Sequence, residues 1–185
     1  MLDDVRARAA NPEHPWDVQA LDWPLTMNSV VVEVGGYTGR WALQIAERYH
    51  PRLFVFEPQA WAADVCRAVL GDRAHVYAVG LGDQDATLPM GDYETDGCSF
   101  TKPGSGVGQM REIRGMLEQC QIADRIDLML MNIEGYEYTL IPHMLSQGIT
   151  PKRLMVQCHG DLIEQIDGYR VLWTYGRVLT AWEML

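Results

Sequence analysis

From Val30 onward, short continuous apolar runs alternate with segments whose apolar residues recur every three or four positions. The first run, Val30-Val31-Val32-Glu33-Val34, is β-branched and stops at Gly35-Gly36, as a strand buried on both faces does. Trp41, Ala42, Ile45, Ala46 and Tyr49 then share one face of a predicted helix. Leu53 to Phe56 is a second strand, and Pro58 suits the first turn of a helix striped by Trp61, Val65 and Val69. His75 to Val79 predicts a third strand, and Thr87 to Met90 a short additional one. Met110, Ile113, Leu117 and Cys120 predict an amphipathic helix, followed by a fourth strand at Ile126 to Asn132. A helix within Tyr138 to Ser146 carries Pro142, which predicts a late start or a kink. Arg153 to Cys158 is a fifth strand and Asp161 to Ile166 a short helix. Tyr169 to Thr174 and Val178 to Glu183 form a hairpin turning near Gly176. Ahead of Val30, Leu2 to Ala10 predicts a helix that Asn11-Pro12-Glu13-His14-Pro15 ends.

Strands alternating with helices predict an α/β fold: a Rossmann-like, doubly wound, mainly parallel sheet with a C-terminal antiparallel hairpin. The expected organisation is a single domain, with residues 1–29 as an N-terminal helix and extension and 30–185 as the core. In such open sheets ligands sit beyond the carboxyl ends of the strands, so the chemistry is sought in the strand-end loops. Gly91 to Gly108, polar and holding five glycines, reads as a long loop over that edge.

Composition narrows the partners. The 185 residues are 48% hydrophobic and 22% charged, as in an ordinary globular chain, and the formal net charge is −10. That charge argues against a broad grip on nucleic acid or on an anionic membrane, both of which need a basic face. Cys66, Cys98, Cys120 and Cys158 form no CxxC and no zinc-ligand spacing, so isolated thiols and no metal site are expected. The acidic start Met1-Leu2-Asp3-Asp4 lacks a signal-peptide pattern, and a cytoplasmic location is expected.

The first strand end reads Glu33-Val34-Gly35-Gly36-Tyr37-Thr38-Gly39, in which glycines permit a tight turn and close approach of backbone to a ligand. A dinucleotide fingerprint would need glycine where Tyr37 stands. Acidic-x-Gly-x-x-x-Gly instead resembles the first motif of class I methyltransferases. Glu57 ends the second strand, 18 residues past Gly39, where a carboxylate can accept hydrogen bonds from both ribose hydroxyls. An NAD site uses the same device, so Glu57 does not separate the two cofactors. Gly80, in the turn after the third strand, marks where an adenine would lie. The fourth strand ends Asn132-Ile133-Glu134-Gly135-Tyr136-Glu137, and Glu134 is placed to orient or deprotonate a hydroxyl, or to cap the next helix together with Glu137. His159 ends the fifth strand at the same edge and can take a proton near neutral pH. Trp41 and Trp61 lie on helical stripes and read as core.

The segments Glu33 to Gly39, Phe56-Glu57-Pro58, Gly97-Cys98-Ser99, Asn132 to Glu137 and Gln157-Cys158-His159 occur in the order found in FkbM-type methyltransferases, which the chain resembles over about Val30 to Tyr175. The resemblance implies a class I fold, S-adenosylmethionine as methyl donor, and O-methylation of a sugar or similar hydroxyl. It implies cofactor contacts at Glu33, Gly35, Gly36, Tyr37, Gly39, Glu57, Gly80 and Asn132, and chemistry at Glu134, His159 and Asn132. Three positions depart from the family pattern: Leu130 stands in place of a lysine, Asn132 in place of an aspartate, and Gln157 where a glutamate is often found. Asparagine can hydrogen-bond but cannot act as an anionic base. The alternatives left open are a non-catalytic cofactor-binding or partner-binding domain and, opposed by Tyr37, an NAD-dependent oxidoreductase.

Overall fold

The computed structural model describes residues 3, 20–91, 95, 97–102, 104–176 and 178–185. Apart from Asp3, the helix predicted at Leu2 to Ala10 lies outside them. The elements are β1 (Val30–Val34), α1 (Arg40–Tyr49), β2 (Arg52–Phe56), α2 (Ala60–Leu70), β3 (Ala74–Tyr77), β4 (Gly80–Gly82), β5 (Ala86–Met90), β6 (Gly106–Glu112), α3 (Ile113–Gln119), β7 (Leu128–Met131), α4 (Glu137–Ser146), β8 (Arg153–Gln157), β9 (Tyr169–Tyr175) and β10 (Leu179–Met184).

The main sheet has seven strands in the order β3-β2-β1-β7-β8-β10-β9. Five of them run parallel, and β10 pairs antiparallel with both β8 and β9. The C-terminal hairpin thus closes the sheet by inserting its second strand beside β8.

Both faces of β1 are buried, which is why its sequence is a continuous apolar run. Val30, Val32 and Val34 pack with Leu117 of α3 and Leu140 and Met144 of α4. Val31 packs on the opposite face with Leu43 and Ile45 of α1 and Val69 of α2. Strand alternation places Glu33 on the α1 side, opposite Leu130 of β7. Two helices on each face leave the carboxyl ends of β1, β2, β7 and β8 as the open edge.

Several predicted elements differ. Met110 lies in β6, not in a helix; α3 starts at Ile113, because Glu112 accepts hydrogen bonds from Arg114 N at 3.0 Å and Gly115 N at 2.8 Å as its cap. The predicted Gly91–Gly108 loop is cut short by the same strand, which pairs with β4 and β5 as a separate three-stranded sheet. No helix forms at Asp161 to Ile166: an irregular segment buries Ile166, with Leu162 and Ile163 packed against the core beside it. Helix α4 starts at Glu137, with no late start, and runs through Pro142; the carbonyl this frees belongs to Tyr138, an exposed residue.

Candidate active site

The loop from β1 to α1 is shaped by four consecutive constraints. Gly35 (φ 86°) and Gly36 donate to Phe56 O at 2.9 and 3.3 Å, Tyr37 takes φ 44°, and Gly39 (φ 82°) donates to Gly36 O at 2.8 Å just before α1. A Cβ on Gly35 would lie 1.9 Å from Asn132 O, and one on Gly36 2.1 Å from Val55 Cγ1. The glycines are therefore required by packing against β2 and the β7 end. The absent Cβ of Gly35 makes room for the Asn132 carbonyl, while the residue itself lines the strand-end cavity. Gly39 faces Cys66 Sγ of α2, at 2.8 Å from a hypothetical Cβ.

Glu57 lies just past β2, only 4% exposed. Its Oε2 accepts from Tyr37 N and its Oε1 from Gln59 N, both at 2.8 Å. Burial pushes the carboxyl up to about 6, against these two N–H groups, which pull it down. Glu33 is also buried; desolvation, with Glu57 nearby, holds its carboxyl well above the usual range. Its Oε2 has no hydrogen-bond partner, and neither does the buried Oδ1 of Asn132. Natively buried acceptors are normally satisfied, so two orphans on one cavity are a signature of an expected ligand or water.

The β7 and β8 ends are tied together by Glu137. Fully buried, it accepts from Gly135 N at 2.9 Å through Oε2 and from His159 N at 2.6 Å through Oε1. Burial would raise its carboxyl, but these bonds and the His159 side chain hold it below the ordinary value. Sequence offered Glu137 as a cap of the next helix; it does stand in that helix's first turn, and its carboxylate also staples two strand ends. Glu134 adopts φ 54° and Gly135 φ 101°, turning the Glu134 carboxylate toward His159, whose Nε2 lies 2.9 Å from Glu134 Oε1. His159 Nδ1 is 3.4 Å from Glu137 Oε1, an ion-pair distance without hydrogen-bond alignment. Glu137 first, then Glu134, raise the imidazole above its ordinary range despite its burial. The Gln157 amide lies 3.2 Å from the same Nε2.

A cavity of about 350 Å³ opens along this edge. Glu33, Gly35, Gly36, Tyr37 and Glu57 line it from the first two strands. Gly80, Asn132 and Glu134 line it from the third and fourth. Gly39 and His159 are not among its lining residues: Gly39 turns to α2, and His159 stands behind Glu134. Sequence reasoning missed Gln59, Phe100 and Ser99 as lining residues. Phe100 approaches Gly80, whose Cβ would sit 2.7 Å from Phe100 Cε2. No periodicity marks a loop residue such as Phe100, which reaches this edge only through long-range folding. Among the described residues, no cluster of three or more His, Cys, Asp or Glu could hold a metal, and no helix is long and apolar enough to cross a membrane.

No family model matches the chain, and no curated protein matches it. Solved structures do. An RNA methyltransferase from Salinibacter ruber in complex with S-adenosyl-L-homocysteine aligns over 94% of this chain and 92% of its own, at 13% identity and a TM-score of 0.54. An rRNA methylase from Streptococcus thermophilus aligns over 95% and 97%, at 13% identity and 0.55. A Klebsiella pneumoniae protein whose assignment as an O-methyltransferase is provisional aligns over 99% and 89%, at 16% identity and 0.53. The fold is that of the class I methyltransferases. At these identities the likeness is one of fold.

Proposed function

We propose that this chain is an S-adenosylmethionine-dependent methyltransferase acting on a hydroxyl of a small molecule or glycan. The observation that carries the reading is the convergence, on one strand-end cavity, of the Glu57 carboxylate with two buried acceptor oxygens that lack protein partners, Glu33 Oε2 and Asn132 Oδ1. A carboxylate keeps lone pairs after accepting two N–H bonds, so Glu57 can still receive a vicinal diol. The orphaned oxygens suit an ammonium. A ribose at one end and an amino-acid ammonium at the other describe S-adenosylmethionine, and the residues present fit it. Tyr37 opposes NAD at the same loop, since the dinucleotide turn calls for glycine there. The segments around Glu57, Glu134 and His159 support, within this reading, an FkbM-type enzyme.

When bound, the cofactor supplies a methyl group on a sulfonium and leaves as S-adenosylhomocysteine. The protein's task is then orientation. Glu134 faces the cavity and takes the hydroxyl proton as the acceptor oxygen closes on the methyl carbon. His159, behind it, is a positioning residue that holds the Glu134 carboxylate by charge. Asn132 contributes a hydrogen-bond acceptor and no proton chemistry.

The test is transfer of labelled methyl from S-adenosylmethionine to a panel of hydroxylated small molecules, glycans and RNA. The wild type should methylate a hydroxylated small molecule or glycan and leave RNA unlabelled, in keeping with the charge of −10. Labelled RNA would overturn the acceptor class. A silent wild type beside an active Asn132→Asp would favour a cofactor-binding module that has lost its aspartate.

A further inference from the structure

The segment Gly97–Lys102 is not a passive cover. Ser99 is 2% exposed, and its Oγ lies 2.8 Å from the main-chain oxygen of Glu134, to which it donates. The same Oγ accepts from Thr101 N at 3.0 Å and lies 2.8 Å from Thr101 Oγ1. A hydroxyl has one proton and two lone pairs. With the Ser99 proton on Glu134 O, its lone pairs receive Thr101 N–H and Thr101 Oγ1–H, so every valence is used. Thr101 Oγ1 is itself 3.2 Å from Glu134 O, a second donor in reserve.

The group being held is unusual. Glu134 is one of four non-glycine residues with positive φ among the described residues, and Gly135 follows at φ 101°. An L-residue persists in the left-handed region only where its surroundings impose it. Here the Ser99 hydroxyl donates to the carbonyl, Thr101 Oγ1 stands 3.2 Å from the same oxygen, and His159 Nε2 lies 2.9 Å from the carboxylate. The two hydroxyls come from a segment 33 to 35 residues away in sequence. Gly135 adds room on that side: its Cβ would sit 3.4 Å from Thr101 Oγ1.

We propose that Ser99 and Thr101 are positioning residues that clamp the Glu134 carbonyl, fixing the left-handed turn that aims the Glu134 carboxylate at His159 and into the cavity. The catalytic half of this proposal rests on the methyltransferase reading; the geometric half does not. The carbonyl carbon and the side chain are bonded to the same Cα, so a clamp on the carbonyl sets the side chain's direction, and a displacement near 1 Å in a reacting group lowers turnover by up to about 100-fold.

The experiment compares wild type with Ser99→Ala, Thr101→Val, Thr101→Ser and the Ser99→Ala/Thr101→Val double variant. Thr101 is exposed, so its variants should fold even if Ser99→Ala does not. The first readout is the His159 imidazole titration followed by NMR. Glu134 and Glu137 are the carboxylates that raise it, and Glu137 is held by Gly135 N and His159 N, not by the clamp. Releasing Glu134 should lower the His159 midpoint, most in the double variant, while Thr101→Ser stays at the wild-type value. The second readout is kinetic: kcat should fall about 10- to 100-fold in the double variant, with KM for S-adenosylmethionine unchanged. An unchanged His159 titration in the double variant would overturn the clamp, whatever the activity. A His159 midpoint lowered in the double variant relative to the wild type, in proteins that all transfer no methyl, would sustain the clamp and refute the methyltransferase reading.

Discussion

Protonating Glu57 should release the cofactor. The carboxyl is buried and pushed up to about 6 from 4.5, a change worth about 2 kcal/mol. The sign follows from the direction: the neutral form is favoured by folding, so this group's contribution to stability is full below about 4.5 and is lost as pH rises through about 6. Ligand binding runs the other way, because the ionised carboxylate is an acceptor only and the stronger one, whereas protonation sets an O–H donor against the donating ribose hydroxyls and backbone N–H groups. With a midpoint near 6, the dissociation constant of S-adenosylhomocysteine should rise about tenfold between pH 7 and pH 5. Glu57→Gln provides the control. Both carboxylate oxygens accept N–H groups at 2.8 Å, so either amide orientation sets its NH₂ against a backbone donor. The unpaired donor costs about 1–3 kcal/mol, or a Tm loss of about 2–10 °C for a chain of this size. The same variant should bind S-adenosylhomocysteine at least about tenfold more weakly and lose the slope between pH 5 and 7. The assay is calorimetric titration across that range, with a melting curve for each protein. Wild-type affinity that stays flat from pH 7 to pH 5, or a Gln variant with wild-type affinity, would refute the role of Glu57.

Three further outcomes are expected. Gly35→Ala should lower unfolding stability in the absence of any ligand by about 2 kcal/mol or more, because its Cβ would lie 1.9 Å from Asn132 O at φ 86°; Gly148→Ala, at φ 73° with open space around it, should cost only about 1 kcal/mol in the same denaturation assay. Glu137→Gln should destabilise by about 1–3 kcal/mol, since both its oxygens accept buried N–H groups, and should return the His159 imidazole toward its ordinary titration range, read by NMR. Glu134→Gln should lower methyl transfer by about 10²–10⁴-fold while leaving S-adenosylhomocysteine affinity unchanged; full activity in that variant would remove Glu134 from the mechanism.

What the sequence disclosed, and what it hid, follows from packing. Strands β1, β2, β7 and β8 are covered on both faces, so their apolar runs were legible, and with them the parallel sheet and its strand-end edge. Strand β6 was not legible, because an inward position is filled by Gly108: its Cβ would meet Met90 Sδ at 2.3 Å and Phe100 at 2.9 Å, so the alternation exists without a hydrophobic residue to mark it. Strand β4, Gly80-Leu81-Gly82, is masked in the same way. Eight of the ten residues proposed for the site do meet on one cavity, since strand ends in a parallel sheet converge by topology. The exceptions are instructive. His159 is placed at the right edge but does not line the cavity; it meets Glu134, which does, at 2.9 Å, and that contact follows from the turn at Glu134 and Gly135. Ser99 and Thr101 act through hydrogen bonds to a main-chain oxygen, and no side-chain pattern announces such a contact.

The central claim, a cavity built for S-adenosylmethionine, is tested most directly by isothermal titration of the full chain with S-adenosylhomocysteine and, separately, with NAD⁺. The account predicts saturable one-to-one binding of S-adenosylhomocysteine and no heat from NAD⁺. Binding of NAD⁺ alone would contradict it.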